Sequence, residues 1–221
     1  MVEIGPGKGA LTSHLLEHAD RVVAVEIDPF LVQYLRAKFR GNDRLEIVEG
    51  DILKQDPGQW GPAVIAGNLP YYITSPIVTK VLAMGAALVR AVFLVQKEVA
   101  DRLTASPGSR DYGYLTVSTQ FFAEVESLCD VPPSAFHPAP KVDSAVVRLT
   151  PRVELPAADP AAFLRFASLA FQHKRKTLRN NLLEQYDRAT LDGLPEGKLR
   201  AEQMSLDALL GLFRRLHGPA T

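Results

Sequence analysis

Short apolar runs alternate with amphipathic stretches through the first 150 residues of the chain. The runs lie at 2–5, 21–26, 45–48, 63–67 and 91–95. Each is too short for a helix and reads as a buried strand. Between them, apolar positions recur every three or four residues at 10–18, 29–39, 75–84 and 98–105, the period of a helix with one buried face. Strand and helix in alternation predict a doubly wound, mostly parallel α/β sheet of Rossmann-like type. Two further runs, 122–128 and 144–149, have only a proline-rich loop between them. With no room for a crossover helix, they predict an antiparallel pair at one edge of the sheet.

The pattern changes after residue 151. "TPRVELPAADP" reads as a connector, and the segments that follow keep helical spacing to the end of the chain. The expected organisation is therefore a catalytic sheet domain over 1–151 and a small all-helical domain over 157–221. No apolar run approaches the roughly 18–20 residues of a membrane span, so no membrane partner is expected. Cys129 is the only cysteine. It excludes a disulfide framework within the chain and points to a reducing, cytoplasmic compartment. His14 and His18 are one helical turn apart without a third ligand nearby, so no metal is expected. No apolar helix face is left over, which favours a monomer.

Candidate chemistry begins at "VEIGPGKGALTSHLLE", where a strand runs into Gly5, Gly7 and Gly9 and then a helix. Glycines there let the backbone turn sharply and a ligand approach closely. A phosphate-binding P-loop would need Ser or Thr after Lys8, but Gly9 stands there. The dinucleotide spacing G-x-G-x-x-G is also not met. What remains is the loop of S-adenosylmethionine (SAM) methyltransferases, which passes beneath the ligand's methionine moiety, or a glycine-rich turn with no ligand. Glu26 closes the second strand, where a carboxylate can accept both ribose hydroxyls of an adenosine. Asp51 follows the third strand and can accept from an adenine amino group, although acids at such positions also cap helices. In order, the loop and the two acids outline one adenosine-sized site along the carboxyl edge of the sheet.

The stretch "AGNLPYYITSPIV" follows the fourth strand on the same edge. It suits methyl transfer to the exocyclic nitrogen of adenine, a poor nucleophile because its lone pair is delocalised into the ring. The Asn68 side-chain oxygen and the Pro70 carbonyl can accept its two hydrogens and aim the lone pair. Tyr71 can stack on the base, a contact worth about 1–3 kcal/mol, once the base has left its own stack. The bland alternative is that Tyr71 and Tyr72 are core rings beside a turn.

These segments, with "LVQKEVADRL", "YGYLTVSTQFF", "VPPSAFHPAPKVDSAVVRL" and "QHKRKTLRNNL", resemble the small-subunit ribosomal RNA adenine dimethyltransferase family nearly from end to end. Erythromycin-resistance RNA methyltransferases and mitochondrial transcription factor B proteins are related to that family. The resemblance implies a SAM-dependent enzyme that dimethylates N6 of two adjacent adenosines near the 3′ end of 16S ribosomal RNA, in the 30S subunit or its precursor. It places Gly5, Gly7, Glu26, Asp51 and Asn68 at the cofactor and Asn68, Pro70 and Tyr71 at the target amine. It makes Phe136 a second ring against the base and sets the segment around Lys174 in a helical RNA-facing domain. In that family a segment ahead of the first strand carries a Gln-Asn/His-Phe-Leu motif and covers the cofactor. Met1 stands directly before the strand here, so weakened SAM binding is expected.

Net charge is zero over 221 residues, but its distribution is uneven. Residues 134–181 hold eight basic residues against three acidic ones. Lys141, Lys174, Arg175, Lys176 and Arg179 are the candidates for phosphate contact, unless 173–179 is a solvated helix face. Two other readings stay open: modification of 23S rather than 16S RNA, and an RNA-binding assembly factor without turnover.

Overall fold

The structure, a computed structural model, describes residues 1–157 and 159–217. Ala158 and positions 218–221 of the expected helical domain lie outside the described residues. The chain divides into two compact units, Met1–Ala100 with Ala123–Pro151, and Asp101–Phe122 with Arg152–Thr221. The division departs from a single boundary near 151, because 101–122 belongs to the second unit.

The first unit is a seven-stranded sheet. Its strands are β1 (Val2–Ile4), β2 (Val22–Glu26), β3 (Leu45–Glu49), β4 (Ala63–Asn68), β5 (Leu88–Gln96), β6 (Ala123–Val131) and β7 (Ser144–Pro151). The order is β3-β2-β1-β4-β5-β7-β6. β1 to β5 are parallel, whereas β7 runs antiparallel to both β5 and β6. The Rossmann-like architecture with an antiparallel edge is therefore as the hydrophobic pattern predicts. Helices α1 (Ala10–His18), α2 (Pro29–Lys38) and α3 (Thr74–Leu82) follow β1, β2 and β4. Every residue of β1 and β2 is buried, as expected for parallel strands covered on both faces. Leu16, Val32, Leu35, Ile77, Val78 and Val81 supply the helical side of that core. At the outer edge, β6 is mostly exposed and carries Glu124, Glu126 and Asp130. Charges of this kind discourage edge-to-edge pairing, and Glu126 forms a cross-strand ion pair with Arg148.

The second unit takes in the end of α4 (Lys97–Thr104), then α5 (Tyr114–Phe122), α6 (Pro160–Ala170), α7 (Leu178–Leu182), α8 (Arg188–Asp192) and α9 (Leu206–His217). Phe121 stacks on Phe163 at 4.9 Å between centroids, and Phe213 meets Phe163 edge-on at 5.6 Å. The sequence pattern assigns no element between 105 and 122, yet α5 lies there. The stretch 161–186, which keeps helical spacing, is not one helix: a turn separates α6 from α7. Asn181 accounts for that break. Its buried Nδ2 donates to the carbonyls of Ala170 and His173, which folds the chain back at the end of α6.

Two features bring the sheet's carboxyl edge together. The strand order reverses between β1 and β4, the place where ligand crevices open in doubly wound sheets. Gly67, next to the last residue of β4, lets the two strands close: a Cβ there would stand 2.6 Å from the Ile4 carbonyl oxygen. Main-chain atoms cannot yield as a side chain would. Gly67→Ala is expected to cost about 1–3 kcal/mol, the usual range for overpacking, read as a lower midpoint in urea denaturation. An unchanged midpoint would show that β1 and β4 have slack at this point.

Candidate active site

The loop after β1 folds as three left-handed glycines, Gly5, Gly7 and Gly9, with φ of 66°, 58° and 74°. Side chains at Gly5 and Gly7 would meet nothing within 4 Å, so the space above the loop is open. Gly9 is different, because a Cβ there would press on Phe39 and Leu35 at 2.7 and 2.9 Å. Lys38 holds the loop from beneath by donating to the carbonyls of Lys8 and Gly9.

Glu26, at the end of β2, is 5% exposed and its carboxylate gathers the loop ends. Oε1 accepts from the amides of Ile27 and Asp28 at 2.9 and 3.0 Å, and Oε2 from the amide of Gly7 at 3.1 Å. A carboxylate offers about four lone-pair sites. One therefore remains, on Oε2, and accepting both ribose hydroxyls requires the Gly7 amide to let go. Asp51 is half-buried and its Oδ1 already accepts from the Leu53 amide at 2.9 Å. It thus serves as a local turn cap, with its other oxygen still available to a ligand.

Glu3, in the middle of β1, was not among the expected site residues. It is 1% exposed, and its Oε2 has no hydrogen-bond partner among the described residues. Burial first, and then the neighbouring Glu26 charge, push its carboxyl above the ordinary value of 4.5, while Thr12 acts in the opposite direction.

Asn68 is the last residue of β4. Its backbone pairs opposite Leu94 while its side chain is exposed at the carboxyl edge, the edge that also carries Gly5 and Glu26. Asn68, Leu69, Pro70, Tyr71, Phe136, Pro138 and Pro140 line one cleft of about 290 Å³. Such a volume is at the lower end of the roughly 300–1,000 Å³ of small-ligand pockets. The Pro70 carbonyl is already engaged: the Ile73 amide and the Thr74 hydroxyl each donate to it at 3.2 Å. Both lone pairs of that carbonyl are thus in use; Leu69 lines the same cleft. Tyr72 is 85% exposed, so it is not a core ring. A larger cleft of about 510 Å³, lined by Met1, His18, Asp20, Arg21 and Trp60 among others, opens at the opposite edge of the sheet, away from these groups.

The match to known proteins runs through the same residues. The family model for ribosomal RNA adenine dimethylase matches residues 1–215. The chain belongs to that family. A relative from Acidobacterium capsulatum named ribosomal RNA small subunit methyltransferase A is 44% identical over 230 residues, 98% of this chain and 81% of its own. Among solved structures, a dimethyladenosine transferase from Plasmodium falciparum superposes with a TM-score of 0.80 at 27% identity. A 23S rRNA methyltransferase, ErmE, does so with 0.75 at 34%. Each match spans 98% of this chain and 90% of the other. As a member of the family, the protein is a SAM-dependent methyltransferase.

The expected phosphate contacts divide between the units. Lys141 is exposed in the first unit. In the second, Arg179 is paired with Asp192, and Lys174 donates to the Arg110 carbonyl at 2.5 Å and lies 3.9 Å from Glu202. Arg175 and Lys176 stand exposed in the turn before α7, with no ion pair among the described residues. That segment is a turn rather than a solvated helix face. Among the described residues no group of three His, Cys, Asp or Glu could hold a metal ion, and no helix is long and apolar enough to cross a membrane.

The raised Glu3 carboxyl sets a pH test. The native state holds this proton above the pH at which the unfolded chain releases it. Stability from this group is therefore full below the ordinary value and falls as pH rises towards the native one. Thermal melts should show Glu3→Gln gaining on wild type as pH rises from about 4.5. A difference constant from pH 4 to 8 would contradict the shift.

Proposed function

We propose that the protein dimethylates N6 of two adjacent adenosines near the 3′ end of 16S ribosomal RNA, acting as a monomer on the small subunit or its precursor in the cytoplasm. The observation that carries the reading is the exposed Asn68 side chain, in one cleft with Tyr71 and Phe136, on the strand edge that also holds Gly5 and Glu26. The small-subunit assignment is favoured because the Acidobacterium capsulatum relative bearing that name is 44% identical, against 34% for ErmE.

The carboxyl edge fits SAM. The open space over Gly5 and Gly7 admits its methionine part, the remaining site on Glu26 accepts a ribose hydroxyl, and Asp51 accepts from the adenine amine. The carboxylates of Glu26 and Asp51 at that edge suit a cationic ligand. When bound, SAM supplies an electrophilic methyl on a sulfonium. The chain's own residues prepare the nucleophile. Tyr71 and Phe136 hold the plane of an extruded adenine. The Asn68 side-chain oxygen and a carbonyl of the Leu69–Pro70 turn accept the N6 hydrogens, which localises the nitrogen lone pair and aims it. The contribution is one of orientation, and no strong base is required because alkylation makes the remaining N6 proton acidic. Arg175 and Lys176 neutralise RNA phosphates without reading sequence.

Incubation with labelled SAM and unmodified 30S particles, followed by mapping of the methylated bases, should place label on two adjacent adenosines of 16S RNA. Label confined to 23S RNA would favour the ErmE-like activity, and an absence of label a binding role without turnover. Asn68→Ala should lower transfer by about 10²-fold or more, the order seen on removing one preorganised hydrogen-bonding group, while RNA affinity stays near wild type. Activity within a fewfold of wild type would remove Asn68 from the reaction. Replacing Arg175 and Lys176 by Ala should reduce the slope of log affinity against log salt by about one to two units; an unchanged slope would place the RNA elsewhere.

A further inference from the structure

Tyr71 is held by a residue distant in the chain. Its hydroxyl lies 3.1 Å from the Ser144 hydroxyl, 73 positions away. Ser144 opens β7 and is fully buried. Its main chain is paired on both sides, with Gln96 of β5 and Val131 of β6, and the preceding Asp143 carbonyl accepts from the Lys97 amide. Ser144 is thus among the less movable points of the antiparallel edge. Tyr71 is not. It sits in a single 3₁₀ turn after β4, half-exposed at the rim of the cleft it shares with Asn68, Pro70 and Phe136. A tyrosine has two rotatable side-chain bonds, and its hydroxyl lies on the axis of the second. The hydrogen bond to Ser144 therefore fixes the first angle, and with it where the ring stands in the cleft it shares with Phe136.

We infer that Ser144 is a positioning residue for methyl transfer: through its hydroxyl it holds the Tyr71 ring in place against the target base. The inference rests on the proposed reading of the Asn68–Tyr71 corner as the amine site. A ring released from Ser144 still stacks on a base, so affinity changes little. It no longer stands where it seats the base for transfer, so turnover falls.

The test is a double-mutant cycle on 30S particles. Ser144→Ala and Tyr71→Phe each remove one half of the hydrogen bond. Each should lower kcat roughly three- to tenfold, the span of one net hydrogen bond, with KM near wild type. The double variant should be no slower than either single variant. If Ser144→Ala leaves kcat unchanged, or lowers it by the same factor again in the Tyr71→Phe background, the inference fails. A second readout needs no turnover. Fluorotyrosine at position 71 should give one narrow fluorine resonance in the otherwise wild-type protein, shifted or broadened by Ser144→Ala. An unchanged line overturns the inference whatever the kinetics. A displaced line in a protein that methylates nothing keeps Ser144 as the ring's anchor and sinks the amine-site reading instead.

Discussion

The parallel pairing of β1 with β4, at the point where the strand order reverses, is the constraint on which the rest of the sheet unit depends. It sends the glycine loop after β1 and the Asn68 turn after β4 out of the same edge of the sheet. A main-chain contact maintains it, because Gly67 lies against the Ile4 carbonyl where no side chain fits. The loop is open above Gly5 and Gly7, and the Asn68 side chain is exposed at the next strand end.

Charge is unevenly placed along a neutral chain. Two acidic groups, Glu26 and Asp51, stand at the carboxyl edge of the sheet, and the carboxyl of Glu3 is buried in β1 with no partner for its Oε2 among the described residues. Exposed cations include Lys8 in the glycine loop, Lys141 in the loop before β7, and Arg175 and Lys176 in the turn before α7.

Much of this was legible in the sequence. The five parallel strands announced themselves as short apolar runs between helical periods, and Gly5, Glu26 and Asn68, each singled out in the sequence, lie at the same edge of the sheet. What stayed hidden depends on partners far along the chain. α5 is rich in β-branched and aromatic residues, which local propensity assigns to strands; its burial with Phe163 decides the matter. The end of α6 is set by Asn181, which reaches back 11 positions to Ala170. The Pro70 carbonyl looked free on paper, yet the Ile73 amide and Thr74 hydroxyl both occupy it. The Tyr71–Ser144 bond joins residues that no local pattern connects.

The claim that one strand edge serves both ligands is tested most directly by a backbone-amide NMR titration with S-adenosylhomocysteine, the demethylated form of the donor. Binding at the shared edge predicts that the amides of Gly5, Gly7, Ile27 and Asp28 shift together with the Asn68 side-chain amide. Shifts confined to the opposite edge, around His18, Asp20, Arg21 and Trp60, would contradict it.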